Sequence, residues 1–273
     1  MNDMIFDVDK FVKYLTKYKD KLPELYYWNV KIDKLKIDSV LSAEEIKKID
    51  EMHSPYEKEV QIKKIIGSKL KDAYNKPDED LFKKIALWVI KDWGGITSAK
   101  DGDTIELVYD FLKLEKPNFN RIASTSKVGA FLYPDRNVIY DSRVAYSLNW
   151  IILSENAGLK FFPIPEGRNS KMSAFDMNVL IRLKNISNYR PKDVEHIKQK
   201  QFIKNLDKNI FIDKQDAYFE LNNLVKQINQ RLWEGDKEKE QNLYYTEMLL
   251  FSIADREVYT EITNHFCFDN PKL

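Results

Sequence analysis

Apolar residues recur along most of this chain at intervals of three and four, the period of a helix with one buried face. Ser42-Ala43-Glu44-Glu45 has the form of a capping box, and Ile46, Ile49 and Met52 follow at helical spacing until Ser54-Pro55 ends the run. The pattern predicts a second helix over about 57–74. A third runs from Leu81 to Trp93, with Phe82, Ile85, Ala86, Val89, Ile90 and Trp93 on one face and Gly94-Gly95 as its stop. A fourth starts at Asp103, carries Ile105, Val108, Tyr109 and Leu112 on its face, and closes at Pro117. Residues 118–153 then read as short helix, tight turn, helix, loop, helix. Residues 154–175, with Gly158, Pro163, Pro165 and Gly167, read as irregular. Long helices return from Pro191 to about Leu206, from Asp216 to Trp233 and from Gln241 to about Ile253. Only Tyr26 to Ile32, where Trp28, Val30 and Ile32 alternate, has the pattern of a short strand. The expected fold is therefore mainly α, with no internal repeat. The break at Asn75-Lys76-Pro77-Asp78 sets off an N-terminal helical subdomain, 1–76, from the remaining 77–273.

Composition narrows the function. The chain of 273 residues is 43% hydrophobic, enough to bury a core, and its 44 basic and 43 acidic residues leave a net charge of +1. A uniformly basic nucleic-acid coat protein is excluded, whereas a local basic groove is not. One cysteine, Cys267, allows no disulfide framework and no cysteine-rich metal or iron–sulfur site. His53, His196 and His265 are far apart and form no metal-binding pair, so no metal and no cofactor are expected. No apolar stretch is long enough to span a membrane, and Asp3, Asp7 and Asp9 argue against a targeting leader. A cytoplasmic protein without a membrane partner or a nucleotide cofactor is the expectation.

The chemistry concentrates in two segments, Arg121 to Leu132 and Val138 to Ala145. In the first, Ser124-Thr125-Ser126 reads as a turn and Lys127 as the opening of a new helix, whose unpaired N–H groups suit a phosphate. In the second, Asp141 precedes a helix with Val144, Ala145, Leu148, Ile151 and Ile152 on its apolar face. Asp141 reads equally well as a plain N-cap. Lys127 and Asp141, fourteen positions apart at successive helix starts, can meet in one cleft. An amine in a dry cleft beside a carboxylate is what an amine nucleophile requires.

These segments resemble the helix–hairpin–helix DNA glycosylases, and among them the 8-oxoguanine DNA glycosylase type. In that superfamily a hairpin Gly-Val-Gly-x-Lys-Val-Ala is followed by Val-Asp-x-His-Val or a close variant. Here Ser124-Thr125-Ser126-Lys127-Val128-Gly129-Ala130 and Ile139-Tyr140-Asp141-Ser142-Arg143-Val144-Ala145 occupy those places. Ser124 and Ser126 replace the hairpin glycines, and the cysteine cluster of the endonuclease III branch is absent. The likeness spans about residues 80–153 and implies a helical bundle with its hairpin near 121–132. It further implies double-stranded DNA with a modified base as partner, base flipping, Lys127 as nucleophile and Asp141 as assisting acid. The lysine would excise the base and nick the strand by elimination, the activity of a repair glycosylase and lyase. Ser124, Thr125, Ser126 and Arg143 are then candidates for DNA contact. Trp93, Phe131 and Trp150 are candidate stacking faces, along with Trp88, Tyr133 and Tyr146, although for any single aromatic a place in the core is the commoner outcome. Arg121, Arg168, Lys171 and a basic stretch of Lys192, Lys198, Lys200 and Lys204 would add grip, unless that stretch is simply a solvated helix face. The alternative is an inactive DNA-structure-binding protein of the same fold, serving a defence or mobile-element system, and beyond it a helical interaction protein that uses neither residue chemically.

Overall fold

A computed structural model of the chain describes residues 5–76, 78–98, 100–114, 117–167 and 169–265. It is all-helical, with no strand among those residues, so the core is assembled from helix faces alone. The helix α1 (Val8–Thr16) is capped by the Asp7 carboxylate and buries Val8, Phe11, Tyr14 and Leu15. Two short helices follow, α2 (Leu22–Leu25) and α3 (Asp33–Ile37). Complete capping boxes start α4 (Ala43–Asp50), from Ser42 with Glu45, and α5 (Pro55–Asn75), from Ser54 with Glu57. α6 (Glu79–Trp88) continues into a widened π turn, Val89–Trp93. Gly95, at φ +69°, ends it in a conformation that favours glycine, and the Ile96 N–H returns to the Ile90 carbonyl at 3.1 Å. Next come α7 (Asp101–Lys113), α8 (Ile122–Leu132) and α9 (Ser142–Glu155). The chain then forms α10 (Ser170–Ala174), α11 (Met177–Lys184), α12 (Val194–Lys198) and α13 (Phe202–Ile210). It finishes with α14 (Ala217–Leu232), α15 (Lys237–Gln241), α16 (Tyr244–Ile253) and α17 (Glu257–His265).

The helices pack around two apolar clusters. In one, α1, α2, α9, α11, α14, α16 and α17 enclose Phe11, Leu148, Trp150, Leu221 and Leu249. In the other, α3 to α8 enclose Ile62, Ile66, Phe82, Val89, Val108 and Val128. The apolar packing therefore groups the chain differently from a boundary at residue 76. The turn after Asn75 joins α5 to α6, which pack against each other inside the second cluster, whereas the N-terminal residues up to Tyr26 belong with the C-terminal half.

Two further expectations differ in detail. Tyr26–Ile32 is an extended link rather than a strand: Val30 and Ile32 are buried by helices, and among the described residues no neighbouring strand pairs with it. The expected helix from 191 to 206 divides into α12 and α13. α12 buries none of its residues, so nothing in the core holds one continuous rod in place, whereas Phe202 turns inward and starts a helix anew.

Candidate functional site

The site begins with α8. The expected turn at Ser124-Thr125-Ser126 is not formed, and Ile122–Leu132 is one uninterrupted helix entered through Arg121 in the left-handed region, φ +65°. The hydroxyl residues explain the difference, because they bond back to the preceding turn. Ser126 Oγ donates to the Ile122 carbonyl at 2.6 Å and Thr125 Oγ1 to the Arg121 carbonyl at 3.3 Å. Lys127 therefore sits in the second turn of a helix rather than at its start. It is only 5% exposed, and its Nζ donates to the Ala123 carbonyl at 2.6 Å. Its methylene stem lies against Gly94, where an added Cβ would stand 2.7 Å from Cδ and Cε. Burial pushes the Lys127 amine below the usual lysine value, Asp141 and Glu247 pull it back, and Lys63 and Arg143 add to the lowering.

Asp141 is carried to the same place by an extended strip, Val138 to Asp141. Three consecutive backbone N–H groups of that strip are satisfied by side chains of three different helices. Val138 donates to Asn222 of α14 at 2.8 Å, Ile139 to Glu247 of α16 at 2.9 Å, and Tyr140 to Ser126 of α8 at 3.0 Å. The last bond joins the residue before Lys127 to the residue before Asp141, and both side chains line one cavity. Asp141 also caps α9, its Oδ1 accepting the Arg143 N–H at 2.8 Å. Asp141 is thus a helix cap that also lines the cavity lined by Lys127.

That cavity lies between the two apolar clusters as a narrow cleft that opens to solvent. Tyr26, Trp28, Trp93 and Phe251 supply aromatic walls, and Lys127, Asp141, Arg143 and Glu247 the polar groups. The Trp28 indole N–H is fixed to the Trp93 carbonyl at 3.1 Å. The Arg143 guanidinium lies 4.8 Å from the centre of the Phe251 ring, with its Nε 3.7 Å from Asp255 Oδ2. Asp255 also accepts from Tyr27 and Asn169.

Behind the cavity is a buried charge cluster that the sequence did not single out. Lys63 Nζ lies 3.5 Å from Glu59 Oε1 and 3.9 Å from Glu247 Oε1, and 4.8 and 4.7 Å from the ring centres of Trp93 and Phe131. The Trp93 indole donates to both Glu59 oxygens at 3.0 and 3.1 Å. Burial pushes the carboxyls of Glu59 and Glu247 above the usual glutamate value, and Lys63 opposes this in both. The available signal was a lone Glu247 within the apolar run Tyr244 to Ile253.

The remaining candidates fall in several places. Trp93 and Arg143 line the cavity, whereas Phe131 stands behind it, edge-on to Trp93 at 5.2 Å. Trp150 is buried in the first cluster and donates to Glu261 at 2.7 Å, and Tyr146 donates to the Phe175 carbonyl at 2.8 Å. Trp88 is a core residue, and Tyr133 stacks with Arg136. Ser126 is wholly buried in its bonds to Ile122 and Tyr140. Ser124 and Thr125 line a different cleft, shared with Lys100, Thr104 and Arg121. Arg168 and Cys267 lie outside the described residues. Among the described residues no group of His, Cys, Asp and Glu is placed to hold a metal ion, and no helix is long and apolar enough to cross a membrane. No protein family model, no curated protein and no solved structure matches this chain.

Proposed function

We propose that this chain is a DNA glycosylase with lyase activity, built on a helix–hairpin–helix type of helical bundle and acting on duplex DNA that carries a modified base. The observation that carries the reading is a buried amine, Lys127, whose proton affinity is lowered, lining with Asp141 one aromatic-walled cleft that opens to solvent. The consecutive helices α7 and α8 take the place of the hairpin unit. The cleft at the start of α8, with Lys100, Arg121, Ser124 and Thr125, is positioned to follow a DNA strand.

The chemistry follows from the groups in place. In its neutral form the Lys127 nitrogen attacks C1′ of an everted nucleotide and forms an N–C1′ bond. The glycosidic bond breaks, and its electron pair leaves with the base, which takes up a proton. Transfer of an amine proton to the ring oxygen O4′ opens the sugar and yields the imine. Loss of a proton from C2′ then expels the 3′ phosphate by β-elimination. Asp141, with one oxygen held by the Arg143 N–H, offers negative charge to the sugar as it becomes cationic. Trp28, Trp93 and Phe251 provide faces for the base, and Arg143 a donor at the wall.

The test is reductive trapping. Duplex oligonucleotides bearing a panel of modified bases, incubated with the protein and borohydride, are expected to give a covalent adduct that Lys127→Ala abolishes. Asp141→Asn, which preserves the cap, is expected to slow base release with little loss of stability. A folded, DNA-binding protein that forms no adduct with any member of the panel would establish the inactive binding module instead.

A further inference from the structure

Two carboxylates share the lining of the cavity with Lys127, and their surroundings differ. Asp141 is half-buried at a helix start, with one oxygen committed to the Arg143 N–H. Glu247 is 5% exposed and lines the same cavity, with Oε2 on the Ile139 N–H at 2.9 Å and Oε1 at 3.9 Å from Lys63. An ammonium has three protons, and Lys127 is seen to give one to the Ala123 carbonyl. Its stem is wedged against Gly94, so only the terminal nitrogen is free to turn. Before it can attack carbon, that nitrogen must lose a proton to a group inside the cavity. We propose that Glu247 takes this proton, leaving Asp141 to face the sugar. In the transfer an N–H bond of Lys127 breaks and an O–H bond forms on a Glu247 oxygen. The proton is afterwards available to the departing base.

The surroundings of the pair favour this division. Burial disfavours the charged form of both Lys127 and Glu247, so moving the proton from amine to acid replaces two buried charges by two neutral groups. Two carboxyls in unlike environments commonly divide into a group that carries a proton and one that stays charged. The charged or titratable groups around the pair are Lys63 and Glu59 from α5, Asp141 and Arg143 from the start of α9, and Tyr26 after α2. The Lys63–Glu59 pair behind Glu247 is balanced by itself, so neutralising Glu247 leaves no unpaired cation.

The inference rests on the glycosylase reading, and the experiment separates the two. The probe is a duplex oligonucleotide with a single abasic site, trapped with borohydride over pH 5.5–9, a range set around ordinary titration of a perturbed lysine. Wild type is expected to trap at a rate flat through neutral pH. Glu247→Gln, which keeps an acceptor for the Ile139 N–H, is expected to trap about 100-fold more slowly near neutrality and to recover as pH rises, the loss typical of a removed proton acceptor. Glu247→Asp, the second variant, withdraws the acid by one methylene and should slow trapping without tilting the pH profile. A Glu247→Gln profile that superimposes on wild type overturns the proposal. If wild type forms no adduct, the glycosylase reading fails, and the proton link is read by NMR titration of ¹³C-lysine-labelled protein. A Lys127 midpoint lowered by about one unit in Glu247→Gln supports the link, and an unchanged midpoint overturns it.

Discussion

Lys63 is the single cation between two buried carboxylates, and its replacement by methionine isolates what the charge contributes. At distances of 3.5 and 3.9 Å from Glu59 and Glu247, and at an effective dielectric near 20, each attraction is about 4–5 kcal/mol before desolvation is counted. Removing Lys63 also removes the cost of burying it, so the net loss at neutral pH should be near the ~3–5 kcal/mol typical of a broken buried pair. Methionine keeps much of the volume and the contact with Trp93 and Phe131, which limits the loss from packing. The sign with pH is fixed by the carboxyls. Burial already raises both in the folded protein, and without Lys63 they rise further. Folding then takes up protons, so the variant is least penalised below the unfolded glutamate value of about 4.3 and loses stability as pH climbs through the raised folded values. Urea unfolding at pH 7.5 and pH 4 gives the comparison. The gap to wild type should be about 3–5 kcal/mol at the higher pH and about 1 kcal/mol at the lower, the remainder being ring contacts. An equal gap at both pH values would refute the assignment of the loss to stranded charge.

Two further substitutions probe the site geometry. Gly94→Ala places a Cβ 2.7 Å from the Lys127 stem and 2.7 Å from the Ile90 carbonyl. It should cost about 1–3 kcal/mol in unfolding free energy and roughly 100-fold in adduct formation, since misplacing a reacting atom by an ångström is enough for that; wild-type trapping by this variant would show that the stem is not confined. Ser126→Ala leaves the Tyr140 N–H buried without its acceptor and should destabilise by about 1–3 kcal/mol, with hydrogen exchange at Tyr140 accelerated; unchanged protection there would mean that the strip is held without α8.

Much of the architecture was legible from periodicity and caps. The Ser42 capping box, the glycine stop after Trp93 and the apolar face of α9 stand where the pattern puts them, whereas the second capping box, at Ser54, was read only as the end of the preceding helix. Lys127 and Asp141 line one cavity, although Lys127 lies in the second turn of its helix and not at the helix start from which the expectation was drawn. The hairpin turn was misread because Ser124-Thr125-Ser126 is a sequence of turn formers, and only the packing around α8 decides that Thr125 and Ser126 bond backward along a helix. Glu59 and Lys63, four apart, look like a solvated ion pair along a helix face, since the pattern cannot tell which face another helix will cover. Trp150 shows the converse, because an aromatic close in sequence to Asp141 points one helical face away and ends in the core with Glu261.

The strip Val138–Asp141 has no sheet to hold it, and its amides hang from three separate helices. Its position is thus an average over the spacing of α8, α14 and α16. Spreading the cavity by pushing α16 outward pulls on Ile139 through Glu247, and the acid two residues along is dragged with it. The placement of Asp141 is thereby tied to the spacing of the three helices.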